Sequence, residues 1–230
     1  MRQFKTNKAF GTASLVISMA LSSCSVLKQG NVANAYVAAY AQLKTVILDD
    51  HPDFISSAYI KQIPYASSKV KIGRSAPGLL ILEEKDKGIT TWVSSDKARI
   101  VLNEGKIIET SGLGNNLIDL VIPDFKLSEV KDGEEFKYVS YYSYENPLLE
   151  NLRVTGYINK KGSQKISILD KEYDLLLFEE VLVNEEINWK VINKYWVDPE
   201  DYFVWKSEQY FSPRQPVVIF EITKRPKSAS

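Results

Sequence analysis

The chain of 230 residues holds one cysteine, Cys24, and one histidine, His51. A single cysteine excludes an internal disulfide, so the stability of the domain must come from burial. A single histidine leaves little room for acid–base or metal chemistry. A nucleophile–histidine–acid set needs its imidazole poised against a nucleophile. His51 instead sits in Asp49-Asp50-His51-Pro52-Asp53 and reads as a solvated turn residue. An excess of charge of one sign is also missing, with 29 Lys and Arg against 29 Asp and Glu, which excludes a strongly basic nucleic-acid binder. No apolar run after the N-terminal leader approaches the roughly 20 residues of a membrane-spanning helix.

Motifs that would carry catalysis or bind cofactors are missing as well. Acids are plentiful, but no spacing selects a pair of the kind that retaining glycosidases hold about 5–5.5 Å apart. Asp198-Pro199-Glu200-Asp201 lacks the alternating oxygen ligands and central glycine of a calcium loop. Gly112-Leu113-Gly114 is not the full glycine fingerprint of a phosphate cradle. The residues point to no enzyme, no metal and no cofactor.

The leader is more informative. Arg2, Lys5 and Lys8 form a positive start, and Ala9–Leu21 is a mostly apolar stretch of 13 residues, too short to span a bilayer. Leu21-Ser22-Ser23-Cys24-Ser25 follows and resembles the lipobox of bacterial lipoproteins. Small residues before the cysteine let an extended backbone enter a peptidase cleft, and the thiol carries the diacylglyceride. Two or more acyl chains anchor stably, at about 0.8 kcal/mol per buried methylene. Cys24 is therefore the expected lipidation site, residues 1–23 the signal peptide and 24–30 a tether. Ser25, rather than Asp, implies the outer membrane, with the domain facing the periplasm. Removal of the leader takes three cations and leaves the rest slightly acidic.

From Asn31, the residues Val32, Ala35, Tyr36, Ala39, Tyr40, Leu43, Val46 and Ile47 recur at helical spacing and predict one amphipathic helix ending before Pro52. From Ile60 on the pattern is that of strands. Gly78–Leu82 is a continuous apolar run, as in a strand covered on both faces. Asn103-Glu104-Gly105-Lys106 is a hairpin turn between Ile100–Leu102 and Ile107–Glu109. Leu152, Val154 and Ile158 alternate with polar residues up to an expected turn at Lys160-Lys161-Gly162, and Val217–Thr223 is the last strand. About ten to twelve short strands joined by hairpin-length turns indicate a mainly β fold, either an antiparallel sandwich or a partly open barrel, with one N-terminal helix. Residues 31–224 form one domain and 225–230 a loose tail. Trp92, Trp189, Trp196 and Trp205 are mostly core by this reading. A polymer- or partner-binding face would instead require Trp92, Trp196 and Trp205 to be exposed together.

Several short segments add a resemblance. They are Ile63-Pro64-Tyr65-Ala66-Ser67, Ile72-Gly73-Arg74, Leu79–Leu82, Thr91-Trp92-Val93-Ser94-Ser95-Asp96, Gly105-Lys106-Ile107-Ile108, Thr110-Ser111-Gly112-Leu113, Tyr195-Trp196-Val197-Asp198 and Trp205-Lys206-Ser207-Glu208-Gln209, then Pro213. In this order, behind a lipobox, they resemble the group 4 capsule polysaccharide lipoproteins, the GfcB/YjbF family. Two places depart from that pattern: Asp201-Tyr202 stands where a glycine-bearing turn is expected, and Glu104 replaces a tighter Asn-Gly turn. The resemblance implies an accessory or scaffold lipoprotein in capsule or exopolysaccharide assembly and export, with secretion proteins or the polysaccharide as partners and no nucleic acid. It carries over no catalytic residue, and only Cys24 transfers as a functional one. The alternatives are a half-barrel that carries a lipid or lipoprotein, and an enzyme that modifies polysaccharide.

Overall fold

The structure, a computed structural model, describes residues 55–124 and 126–227. The expected signal peptide, Cys24, the helix from Asn31 and His51 lie outside the described residues. The first element is a short helix, α1 (Ser57–Gln62). Ser56 caps it, its hydroxyl accepting from Tyr59 N at 3.3 Å. Pro64 stops it, because the residue before a proline favours extended backbone, and Ile63 is extended at φ −77° and ψ 121°. The cap and the proline explain why the strand pattern begins at Ser67 rather than at Ile60.

Twelve strands follow: β1 (Ser67–Ile72), β2 (Gly78–Asp86), β3 (Ile89–Val93), β4 (Arg99–Asn103), β5 (Lys106–Ser111), β6 (Leu117–Val121), β7 (Glu135–Tyr144), β8 (Leu149–Ile168), β9 (Lys171–Asn184), β10 (Trp189–Val197), β11 (Val204–Gln209) and β12 (Val218–Lys224). They form one sheet in the order β5-β4-β3-β2-β1-β12-β11-β10-β9-β8-β7-β6. Each described pairing is antiparallel, and β12 pairs with β1, so the meander curls into a nearly closed barrel. The gap falls between β5 and β6, which are consecutive in the chain. Across it Leu117 N donates to Thr110 Oγ1 at 2.9 Å, and both residues are buried.

Period-2 alternation sorts the side chains. Leu80, Trp92, Ile100, Leu102, Val154, Leu182, Val218 and Phe220 turn inward and pack as one apolar core. Burying one such aliphatic side chain stabilises the fold by roughly 1.5–3 kcal/mol. In the predicted doubly covered run, Leu79, Leu80 and Ile81 are all buried. Leu80 faces the interior, while Leu79 packs outside against Ile55, Ile60 and Ile63 beside α1.

Two strands are much longer than the short strands the sequence suggests: β8 has 20 residues and β9 has 14. The expected turn at Lys160-Lys161-Gly162 is a bulge inside β8. The pairing register shifts between Lys160 and Gly162, with Gly162 at φ 106°. A glycine at positive φ serves a bulge as well as a turn. The β8–β9 hairpin thus continues past the barrel wall and lies along its outside. Gln164 Oε1 accepts from Trp196 Nε1 at 2.8 Å, Tyr173 rests on Trp205 at 4.7 Å between ring centroids, and Leu169 joins the cluster beside α1.

Candidate functional site at the barrel mouth

An up-and-down barrel has two ends. At one end Tyr144 OH donates to the Phe211 carbonyl at 2.7 Å, Asn115 Nδ2 donates to Ser212 Oγ at 2.8 Å, and Tyr142, Trp189 and Leu117 fill the space. This end is sealed. The other end carries the turns β2–β3, β4–β5 and β10–β11 and the segment between β6 and β7, and it is open.

Between the apolar fill and the mouth lies a buried ionic plug. Glu180, 1% exposed, accepts from Lys106 Nζ with both carboxylate oxygens at 2.7 Å. It also accepts from Asn193 Nδ2 and Tyr195 OH, each at 3.0 Å, and from Tyr138 OH. Gln209 extends the network, accepting from Ile107 N at 3.0 Å and donating to the Gly105 carbonyl at 2.8 Å. The β4–β5 turn is thereby tied across the lumen to β7, β9, β10 and β11. Burial alone would push the Glu180 carboxyl up, but the Lys106 ammonium and the hydrogen bonds of Lys106, Tyr138 and Asn193 outweigh it, and the carboxyl sits below its ordinary value. Burial first, then the Glu180 charge, pushes the Tyr138 and Tyr195 phenols far up, so both stay neutral donors. Two glycines make room. A Cβ on Gly156 would lie 2.3 Å from Tyr138 Cζ, and one on Gly105 would lie 2.5 Å from Val204 Cγ2.

Above the plug the mouth opens into two adjoining pockets of about 420 and 540 Å³, which share Glu104, Lys126 and Leu127. The first reaches down to Lys106, Glu180 and Tyr195. The second is floored by Trp92, Leu102, Val204 and Ile222, with Tyr202 and Phe203 on its wall. Arg225 closes one side, its guanidinium 4.2 Å over the Phe203 ring and paired with Asp201. Slight burial opposes the shift, but the Arg225 bond and the Phe203 N–H hold the Asp201 carboxyl below its usual range. Arg225, where the loose tail was expected to begin, is therefore tied to the mouth.

The turns around this cleft are unusual. In β2–β3 the central residues are Lys87 (φ 43°) and Gly88 (φ 88°), and in β4–β5 they are Glu104 (φ 47°) and Gly105 (φ 89°). Such two-residue turns need positive φ twice and favour Asn-Gly. Tyr202, at φ 58°, takes left-handed backbone that bulky side chains rarely adopt. Lys87, Glu104 and Tyr202 all line the cleft. The two departures from the family pattern, at Glu104 and at Asp201-Tyr202, thus each hold a left-handed residue, Glu104 and Tyr202, and both lie at the mouth.

The three candidate tryptophans are not gathered on one exposed face. Trp92 is inside at 1% exposure, donating to Thr90 Oγ1 at 2.9 Å and packing edge-on to Phe220. Trp196 is on the outer wall at 6% exposure, beneath Gln164 and with Lys206 Nζ 5.2 Å over its ring. Trp205 is half-buried and donates to Asp198 Oδ2 at 3.1 Å. Strand tryptophans fill interiors because a large apolar ring gains most there. In Asp198–Asp201 the acids shape the turn: Asp198 Oδ1 accepts from Glu200 N and Asp201 Oδ1 from Phe203 N. Among the described residues no group of three His, Cys, Asp or Glu side chains is placed to hold a metal ion.

Lys106 and Glu180 are not among the residues the sequence pattern singles out, although Glu180 carries a signal. Glu180 shares its strand face with Phe178 and Leu182 by period-2 spacing, and a carboxylate on an inward face implies a buried partner. The partner's identity was not legible, because Lys106 meets it across the lumen from a distant hairpin.

Comparison with known proteins agrees with this architecture. Residues 40–223 match the family described as group 4 capsule polysaccharide lipoprotein GfcB, YjbF. The chain is 24% identical over 156 residues to the uncharacterized lipoprotein YjbF of Escherichia coli (strain K12), covering 66% of this chain and 71% of that protein. It is 19% identical over 167 residues to the uncharacterized lipoprotein GfcB of the same strain, covering 71% and 78%. The crystal structure of the hypothetical lipoprotein YmcC from Escherichia coli (K12) superposes with a TM-score of 0.66 at 16% identity, covering 85% of this chain and 96% of that one. At that identity the superposition speaks for the fold.

Proposed function

We propose, for a chain that belongs to the group 4 capsule polysaccharide lipoprotein family, the role of an accessory or scaffold component in capsule or exopolysaccharide assembly and export. Membership in a lipoprotein family implies lipid anchoring to a membrane. In this reading Cys24 carries the acyl chains, the membrane is the outer membrane, and the barrel faces the periplasm. It binds secretion proteins or the polymer itself. The observation that carries the reading is the family match across residues 40–223, together with the lipobox at Leu21–Cys24. Deletion of the gene should lower capsular or secreted polysaccharide under inducing conditions, and unchanged polymer would sink the role. Cys24→Ala should release the protein from outer-membrane fractions, and its retention there would refute the anchor.

The barrel interior bears on the rival readings. A lipid carrier needs a deep apolar cavity. Here the lumen is filled by packed side chains and the Lys106–Glu180 plug, and charged residues ring the pockets above it. A polysaccharide-cleaving enzyme needs a carboxyl free to exchange protons. Glu180, the buried acid of the cleft, is not such a group, with both oxygens committed to Lys106, Tyr138, Asn193 and Tyr195, while Glu104, Glu200 and Asp201 stand at the rim.

A further inference from the structure

We propose that the mouth cleft is a glycan-binding site, taking a short run of uncharged sugar residues against Tyr202. The proposal rests on the capsule reading and assigns it a site and a ligand chemistry. Three observations support it. The first is size: adjoining pockets of about 420 and 540 Å³ fall in the range of roughly 300–1,000 Å³ of small-ligand sites.

The second is chemistry. The rim carries Lys87, Lys126 and Arg225 among Glu104, Glu200 and Asp201, signs mixed with no dominant field, over the apolar floor of Trp92, Leu102, Val204 and Ile222. A polyanion would favour a rim of one sign. An acyl chain would favour a wall without charge, because burying unpaired charge is costly. A pyranose presents hydroxyls around its edge and C–H groups on its faces, and it matches both the rim and the floor.

The third is strain. Left-handed backbone at a non-glycine residue persists where the surrounding structure enforces it, and such positions cluster at binding sites. Glycine at 202 and asparagine at 104 would relieve these turns. Tyrosine and glutamate instead set an aromatic ring and a carboxylate on the wall of one cleft.

The test uses the full-length lipoprotein in detergent. The probe is the host's secreted polysaccharide, cut by mild acid into oligosaccharides a few residues long, from which the uncharged fraction is taken. Calorimetric titration should show saturable binding. Tyr202→Gly removes the ring and relaxes the turn, so it should weaken binding about tenfold while the unfolding temperature stays level or rises. Glu104→Asn should weaken binding severalfold with the turn intact. Ile187→Ser, on an exposed turn residue at the sealed end, should bind as the unaltered protein does. Undiminished binding by both mouth variants, or no saturable binding of any oligosaccharide, overturns the proposal. Displacement by palmitate, or preference for an anionic fraction, overturns its ligand chemistry. If binding fails while the deletion strain still loses polymer, the site is wrong and the capsule role stands.

Discussion

The two ends of this barrel solve the same problem with different materials. Both must close a lumen, and both must turn the chain between antiparallel strands. The sealed end closes with Tyr142, Tyr144, Trp189 and Leu117, apolar bodies among which the Tyr144 hydroxyl donates to the Phe211 carbonyl and the Leu117 N–H to Thr110 Oγ1. Its left-handed positions include Asn188 in the β9–β10 turn and Asn151 in a bulge near the start of β8, a residue type that tolerates this backbone, with Lys97 as the exception. The mouth closes lower down, on a desolvated Lys106–Glu180 pair, and places Lys87, Glu104 and Tyr202 in left-handed backbone around an open cleft. Three residues other than asparagine or glycine thus carry left-handed backbone around the cleft, which sets the mouth apart in the side chains its turns display.

The largest expected effect comes from breaking the plug. Glu180→Ala leaves the Lys106 ammonium buried beside two phenols and should cost about 3–5 kcal/mol, as removal of one partner from a buried pair does. Urea denaturation measures it. A loss under about 1 kcal/mol would mean that water reaches Lys106 and that the plug is no plug. Next comes Gly156→Ala. Its Cβ would land 2.3 Å from Tyr138, so the ring must move and its bond to Glu180 must stretch. A loss of about 1–3 kcal/mol is expected, and an unchanged midpoint would show that Tyr138 has another resting place.

The plug also shapes the response to pH. The Glu180 carboxyl sits below its ordinary value of 4.5 in the folded protein. Its contribution is therefore complete above the unfolded value and is lost as pH falls through the lower, folded one. The phenols of Tyr138, Tyr142 and Tyr195 are raised above 10.0. Their contribution is complete below the unfolded value and is lost as pH rises beyond it. Stability should hold between these limits and drop on both sides. Glu180→Gln should flatten the acid side alone. If that limb persists undiminished in the variant, other carboxylates govern it.

The wall of the barrel was far more legible in the sequence than its contents. Alternation at Leu152, Val154 and Ile158 marked β8, because period is a local property. The bulge at Gly162 was misread as a turn, since both use glycine at positive φ and only pairing distinguishes them. The Lys106–Glu180 contact joins β5 to β9 across the lumen, and no local pattern encodes such a distance. The cleft was half legible: Glu104 and Asp201-Tyr202 stood out as wrong for their turns, but nothing in the chain placed both turns at the same end.

The smallest effect is the most discriminating for the contrast between ends. Glycine at a left-handed position removes the steric cost of Cβ but adds freedom to the unfolded chain. At Asn188, φ 52°, the asparagine already tolerates the backbone, so Asn188→Gly should shift stability by less than about 0.5 kcal/mol. At Tyr202, φ 58°, the relief is larger, and Tyr202→Gly should be neutral or stabilising by up to about 1 kcal/mol despite losing a half-buried ring. Paired thermal melts of the two variants decide the matter. If Tyr202→Gly proves clearly the more destabilising, the ring is held for packing, and the mouth differs from the sealed end in composition but not in purpose.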